Sequence, residues 1–437
     1  MSASTGPTED ETPAATEGGF VTEFVLGIDW GSKCHAVCVV DAHGEVVLEE
    51  EVAHRGADVL AFVERLFDVV GGDAARVSAA MEAPHGVMVE VLLERGVDCY
   101  SINPKQLDRF RDRHSVAGAK DDRLDALVLA SSLQTDQALF RAISLPDAQR
   151  LELAALNRSY ESLTDQVLAV SNEIRALLVR YFPQFAELGR WHEEPWLWEI
   201  FKRAPTPQKA RSLSPTRVKK ILKEHRIRRY EAKEILETLR ETPLPVAPGV
   251  AEAASKRIAL LLPVLLIAHA QRSECTRQLK SMFAAFAEET ASPEQAHHDA
   301  VLLLSLPGIG VHNGAVILTE AELALQNRDY QALRRLAGAA PVSRRTGGRN
   351  KRPQVQQRQA CNRRLREAVY HWACVARQRD PRARQHYGDL RSRGHSHGRA
   401  IRGVADRLLK VLCAVLKSGG KYDPERRAPQ ENVDRAA

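Results

Sequence analysis

Four carboxylates in the first third of this 437-residue chain have the spacing of a metal site. Asp29 closes the apolar run that starts at Phe24, and Glu82 follows the apolar run from Val77 to Met81. Asp122 and Asp125 sit three apart at the start of a helical pattern, which puts both on one face. Two carboxylates at strand ends, with a pair one helical turn apart, are how oxygen-ligand sites for divalent metals are assembled. Two Mg2+ ions in such a site would activate an attacking oxygen and stabilise a leaving one in phosphodiester cleavage. Each acid also has a plainer role. Asp29 could cap a turn, Asp122 could be a charge favoured by the helix dipole, and Asp125 a solvated face residue. Asp121 competes with Asp122 for the ligand position.

The second concentration of chemistry is basic. Arg344, Arg345, Arg349, Lys351, Arg352, Arg358, Arg363, Arg364 and Arg366 meet a single acid in the same stretch, Glu367. Charge runs are usually solvated faces, but one this one-sided points to nucleic acid. It follows Leu306-Pro-Gly-Ile-Gly310, which reads as the hairpin of a helix–hairpin–helix. The backbone N–H groups at Gly308 and Gly310, near a helix N-terminus, can hold a phosphate without reading sequence; a plain tight turn is the other reading. Within the basic loop lie Ser343 and Thr346-Gly347-Gly348. A hydroxyl among arginines could attack phosphorus while the guanidinium groups stabilise the developing charge, although a turn threonine is the default. Lys219 and Lys220 open another basic cluster that runs to Arg229.

These residues need elements to position them. Phe24 to Asp29 and Cys34 to Val40, joined through Gly31-Ser32, predict an antiparallel hairpin, with a third strand from Glu45 to Val52. Helices are expected over Ala57 to Val70, Gly86 to Arg95, Lys105 to Arg113 and Asp121 to Gln134, and strands over Arg76 to Met81 and Asp98 to Ile102. Three antiparallel strands followed by strand–helix alternation is the ribonuclease-H-like order, with a mixed sheet. From 147 the pattern turns helical. Gln149 to Tyr181 and Ser255 to Phe286 read as long helices of an antiparallel coiled-coil arm suited to dimerisation, or else as members of a compact bundle. Between them Gln208 to Leu239 is a basic segment. A third unit holds the glycine turn, a helix from Gly314 to Leu323, the basic loop Ser343 to Arg358, and helices over Cys361 to Arg377 and Gly398 to Leu416. The expected organisation is a disordered tail at 1–21, the sheet domain at 22–146, the helical region at 147–296, a C-terminal domain at 297–424 and a second disordered tail at 425–437.

Composition fits this division. Hydrophobic residues are 44% and charged residues 27% of the chain, as in ordinary globular proteins, and net charge is only +6, so the placement of charge matters more than its sum. The seven cysteines are odd in number, lack zinc-knuckle spacing and read as reduced core thiols of a cytosolic protein. The first twenty residues lack an apolar h-region, so they read as a tail and not a signal peptide. The longest apolar stretch, Ile258 to Ala270, contains Pro263 and is too short to span a bilayer.

Taken together, these stretches resemble one family over nearly the whole chain, 22 to 424: the DEDD-type insertion-sequence transposases, whose members are recombinases guided by a bridge RNA. Gly27-Ile28-Asp29, Met81-Glu82-Ala83, Ile102-Asn103-Pro104 and Lys120-Asp-Asp-Arg-Leu-Asp-Ala126 match the RuvC-like domain. Leu306-Pro-Gly-Ile-Gly310, Ala337-Gly-Ala-Ala-Pro341, Ala360-Cys-Asn-Arg-Arg-Leu365 and Leu416-Lys-Ser-Gly-Gly-Lys-Tyr-Asp-Pro424 match the C-terminal transposase domain. The resemblance implies Mg2+ on Asp29, Glu82, Asp122 and Asp125. It also implies donor and target DNA as substrates, a structured guide RNA, a homo-oligomer that shares its sites between subunits, and a bacterial cytoplasmic, nucleoid-associated location. The family's catalytic serine corresponds to Thr346, which keeps the hydroxyl but adds a methyl and stiffens χ1. Ser343, the other hydroxyl of the loop, is the alternative nucleophile.

Three rivals remain on sequence grounds. Gly27-Ile-Asp-Trp-Gly-Ser32 also looks like the phosphate loop of an actin-like ATPase or sugar kinase, although the second Asp-Gly-Gly loop of that fold is missing. A RuvC-like junction resolvase or nuclease without transposition would use the four acids but not the basic hydroxyl-bearing loop. A catalytically dead nucleic-acid-binding remnant is the third.

Overall fold

A six-stranded sheet whose central strands carry apolar residues on both faces organises the first of two compact units, Met1–Pro146 and Asp147–Ala437. The computed structural model describes residues 22–82, 84–114, 121–144, 147–288, 295–344 and 354–424, so both expected tails lie outside the described residues. Strands β1 (Phe24–Asp29), β2 (Cys34–Asp41), β3 (Val46–Ala53), β4 (Val77–Met81), β5 (Asp98–Ser101) and β6 (Arg141–Ala142) form one sheet in the order β3-β2-β1-β4-β5-β6. β1 is antiparallel to β2 and parallel to β4, and β6 returns antiparallel to β5. This is the expected mixed sheet with one addition, since a two-residue edge strand is too short to leave a periodic signal.

Helices α1 (Gly56–Val70), α2 (Val87–Glu94), α3 (Pro104–His114) and α4 (Asp122–Asp136) flank it. Leu26, Ile28, Val37 and Val39 pack with Phe62 and Leu66 of α1 and Met88 of α2. Val25, Ala36, Cys38 and Val40 pack on the other face with Leu107 and Phe110 of α3 and Ala126 and Leu129 of α4. The period-2 alternation of a strand therefore sends Asp29, in step with Val25 and Gly27, toward α4. Gly27 is what lets α4 come so close. A Cβ built on it would lie 1.9 Å from the Ala126 carbonyl oxygen and 2.7 Å from the Ala130 nitrogen.

Among its described residues the second unit is helical apart from one antiparallel strand pair. The long helix α5 (Ala148–Tyr181) is followed by α6 (Pro183–Glu187), α7 (Pro195–Arg203), α8 (Pro207–Arg211), α9 (Pro215–Glu224) and α10 (Ala232–Leu239). These gather around Phe182, Phe185, Trp196, Trp198 and Phe201 before α11 (Val250–Glu288) runs back along α5. The basic segment 208–239 is thus three short helices. Prolines in the first turns and the side chains of Thr206 and Ser214, which accept from Lys209 and Arg217 backbone N–H groups, start α8 and α9.

A further core of Leu306, Ile317, Leu365, Trp372, Ile401 and Leu412 joins the remaining helices. These are α12 (Gln295–Leu304), α13 (Val311–Glu320), α14 (Glu322–Gln326), α15 (Tyr330–Leu336), α16 (Arg363–Arg379), α17 (Pro381–Ser392) and α18 (His397–Ser418). Helix α17 was not expected, although Asp380 capping Arg382 and Ala383 ahead of Pro381 is a helix start. The stretch expected as a loop from 343 to 358 carries part of an antiparallel pair, β7 (Pro341–Arg344) with β8 (Gln354–Gln357), two four-residue strands too short to leave a periodic signal. All seven cysteines are free; burial pushes the Cys38 thiol up to about 11 and Cys99 to about 12, whereas Cys34 is exposed and not a core thiol. Among the described residues no helix is long and apolar enough to cross a membrane.

Candidate metal centre

Asp29 is the last residue of β1, at the level where Ile28 pairs with Met81 of the parallel neighbour. Opposite it stands the first turn of α4. Asp121 is the N-cap there, its side chain accepting from the Arg123 N–H at 3.1 Å. That frees the next acid for the cleft: Asp29, Asp122 and Asp125 each bring a carboxylate oxygen within 4.8 Å of the others. Asp122 is exposed, Asp29 half-buried, and Asp125 only 1% accessible. A solvent-exposed, a partly covered and a buried carboxylate give a hard-oxygen donor set open on one side, which suits a divalent cation of the Mg2+ or Mn2+ kind.

Glu82 does not join that cluster among the described residues. Met81 is the last ladder residue of β4, so Glu82 rides on the bend that follows, half-buried, and not on the sheet itself. Three of the four acids meet, and the fourth stands just past the end of the adjacent strand.

Sequence reasoning missed Arg111. From α3 its Nε donates to Asp125 Oδ1 at 2.5 Å and its Nη2 to Oδ2 at 2.7 Å, while Nη1 donates to Asp108 at 2.7 Å. The hydrogen bonding to Asp125, helped by the charges of Asp125, Asp108 and Glu82, raises the guanidinium pKa further above its ordinary value. A buried carboxylate needs such a partner. Only the i, i+3 relation of Asp108 and Arg111 was visible in the sequence. The pairing with Asp125 spans fourteen positions and two helices.

The basic elements divide. Thr346, Arg345, Arg349, Lys351 and Arg352 lie outside the described residues, as do Ala83, Lys120, Gly347 and Gly348. Ser343 and Arg344 belong to β7. Gly308 has φ +79°, and a Cβ on it would lie 2.7 Å from the Ala376 nitrogen of α16, so this glycine serves close packing. Trp372 Nε1 donates to the Pro307 carbonyl at 3.0 Å beside it. Gly310 is exposed and caps α13 without a side-chain bond. Lys219 and Lys220 are exposed on α9, Lys220 lying 3.8 Å from Glu224. The basic run is also less one-sided in space than in sequence. Arg364 pairs with Glu320 at 2.8 Å and Glu161 at 3.0 Å, acids delivered by α13 and α5.

Comparison with known proteins finds matches to both parts of the chain. The transposase model DEDD_Tnp_IS110 matches residues 26–183, and the model for transposases of the IS116/IS110/IS902 family matches residues 300–388. Together they take in more than half of the chain. A protein of Sinorhizobium fredii named as a transposase, y4uE, is 41% identical over 209 residues, which is 47% of this chain and 58% of that one. The mini-circle IS117 protein of Streptomyces coelicolor, also named as a transposase, is 29% identical over 92% of this chain and 95% of its own length. The 43.6 kDa protein of insertion element IS110 from the same organism is 25% identical over 92% and 97%. Since one family matches both parts of the chain and the IS117 and IS110 relatives align almost end to end, the chain belongs to the DEDD-type IS110 family of transposases, enzymes that act on DNA in transposition.

Proposed function

We propose that this chain cuts and rejoins DNA by a metal-dependent route, with Asp29, Glu82, Asp122 and Asp125 as ligands of Mg2+ and the Thr346 hydroxyl as nucleophile. One observation carries the reading: Asp29 and the Asp122/Asp125 pair, nearly a hundred positions apart, bring oxygens within 4.8 Å of one another. Mg2+ bound there would supply Lewis-acid polarisation of the phosphodiester.

The chain's own residues do the rest. β1 and α4 hold Asp29, Asp122 and Asp125 on rigid elements. The Thr346 oxygen attacks phosphorus, forming a protein–DNA phosphoester as the P–O bond of the strand breaks and the proton passes to the leaving oxygen. Attack by a hydroxyl of the second DNA reverses the step and seals the new joint, so strands exchange through a junction. Arg344, Arg345, Arg349, Lys351 and Arg352 stabilise charge on the phosphate, and the turn at Gly308 and Gly310, as a helix–hairpin–helix, with Lys219 and Lys220, contacts nucleic acid backbone. Helices α5 and α11 serve as the coiled-coil arm of a homo-oligomer. Acids and hydroxyl come together from different subunits, and a structured RNA pairs with donor and target in the bacterial cytoplasm.

The acid cluster by itself would equally serve a junction nuclease that does not transpose, and one experiment separates the two. A suicide DNA substrate should trap a covalent adduct in the presence of Mg2+, lost in Thr346→Ala and in Asp29→Asn. An adduct that persists in Thr346→Ala moves the role to Ser343. Cleavage without any adduct, surviving both Thr346→Ala and Ser343→Ala, establishes the nuclease. Undiminished cleavage by a folded Asp29→Asn protein sinks the metal assignment.

A further inference from the structure

We propose that Arg111 is a positioning residue of the acid cluster: an internal counter-cation that holds Asp125 in place and must yield it, wholly or in part, when a divalent ion binds. The inference rests on the metal reading of Asp29, Asp122 and Asp125.

The geometry is specific. Both oxygens of Asp125 accept from Arg111, at 2.5 and 2.7 Å, in the forked pattern that fixes a carboxylate's orientation as well as its charge. Asp125 is 1% accessible, and two other carboxylates stand within 4.8 Å of it, so the cluster without a cation would be self-repelling. Arg111 answers that repulsion from the side of α3. Its third nitrogen donates to Asp108, an exposed acid one turn back on the same helix. Asp108 is the place to which the guanidinium can withdraw without losing a partner.

A divalent ion held by Asp125 would compete with Arg111 for the charge of the same carboxylate and would meet the guanidinium's own charge at short range. A lysine could relieve that conflict by losing a proton, but a guanidinium cannot, so Arg111 has to move. The residue therefore acts in two opposing ways. It stabilises the metal-free cluster, and it weakens metal binding, so that loading is linked to a side-chain exchange on α3.

Mn2+ titration by calorimetry and thermal melts with and without Mg2+ test this on the full-length chain. Arg111→Met should bind Mn2+ about tenfold tighter or more, since one nearby positive charge has gone. Its melting temperature without metal should fall below that of the unaltered chain, and Mg2+ should raise it by more. Arg111→Lys, which keeps a cation but loses the fork, should lie between the two in both measurements. Unchanged or weaker Mn2+ binding by a folded Arg111→Met, with the unaltered chain binding normally, overturns the inference and leaves the metal reading standing. No Mn2+ binding by either protein overturns both.

Discussion

Replacing Gly27 with alanine should open the metal centre without touching any of its acids. Gly27 sits two residues before Asp29 on β1, and its missing side chain is the gap into which α4 fits. An alanine Cβ there would lie 1.9 Å from the Ala126 carbonyl oxygen and 2.7 Å from the Ala130 nitrogen. Both neighbours are helix backbone, so no flexible side chain can swing aside. To restore an ordinary contact of 3.4 Å the helix must retreat from the strand by about 1.5 Å. Overpacking of this sort costs about 1–3 kcal/mol, and a clash with backbone puts this site near about 3 kcal/mol. For a domain the size of the first unit that is a fall in melting temperature of about 10 °C. The displacement also carries Asp122 and Asp125 away from Asp29, because the first belong to α4 and the last to β1. Oxygens that now lie within 4.8 Å would separate beyond the reach of one small cation. Mn2+ affinity should fall by about 10- to 100-fold, the range typical when the support of a metal ligand is disturbed. Urea denaturation and Mn2+ calorimetry of Gly27→Ala read the two effects separately, the second under conditions where the variant is folded. A variant with the midpoint and the Mn2+ affinity of the unaltered chain would refute the idea that this close approach builds the site.

The second unit should lose stability in mild acid through His312. Burial, and then the charges of Lys280 and Arg272, lower its pKa to about 4 from the ordinary 6.5, with the ring stacked on Tyr160 and bonded to Thr276. A depressed histidine is neutral in the folded state, so this contribution is complete above the unfolded value of 6.5 and is lost as pH falls toward about 4. Urea midpoints between pH 7.5 and 4.5 should therefore fall less steeply for His312→Gln; an identical slope would remove His312 from the account. Gly308→Ala should destabilise the chain by about 1–3 kcal/mol even without DNA, from the strain of φ +79° and the contact at 2.7 Å with Ala376. A midpoint that stays put while DNA affinity drops would restore the turn to a purely phosphate-binding role.

Much of the first unit was legible because its signals are local. The runs Val25-Leu26 and Val37 to Val40, the Gly31-Ser32 reversal and the alternation of strand and helix patterns predict a mixed sheet, and the sheet has that order. The start of α4 was visible too, but not which of two adjacent acids would cap it. That choice needed the path of the chain into the helix, where Asp121 takes the Arg123 N–H and leaves Asp122 facing Asp29. In the second unit, helix content was evident from the 3.6-residue period. The division of residues 208–239 into three capped helices was hidden under runs of basic charge, and the four-residue strands β7 and β8 are too short to leave a periodic signal.

Local order along the chain settles the strand that ends in Asp29 and the helix face that carries Asp122 with Asp125, since periodicity and capping act over a few residues. Which of these acids meet depends on contacts between distant segments. The depth to which α4 sinks onto Gly27 is a matter of close packing between segments a hundred positions apart. The same holds for Glu82 standing apart from the three clustered acids, and for Arg111 as the partner of Asp125. Burial is the physical reason: a carboxylate taken out of water must find a cation, and where that cation comes from is settled by the fold and not by neighbours in the chain.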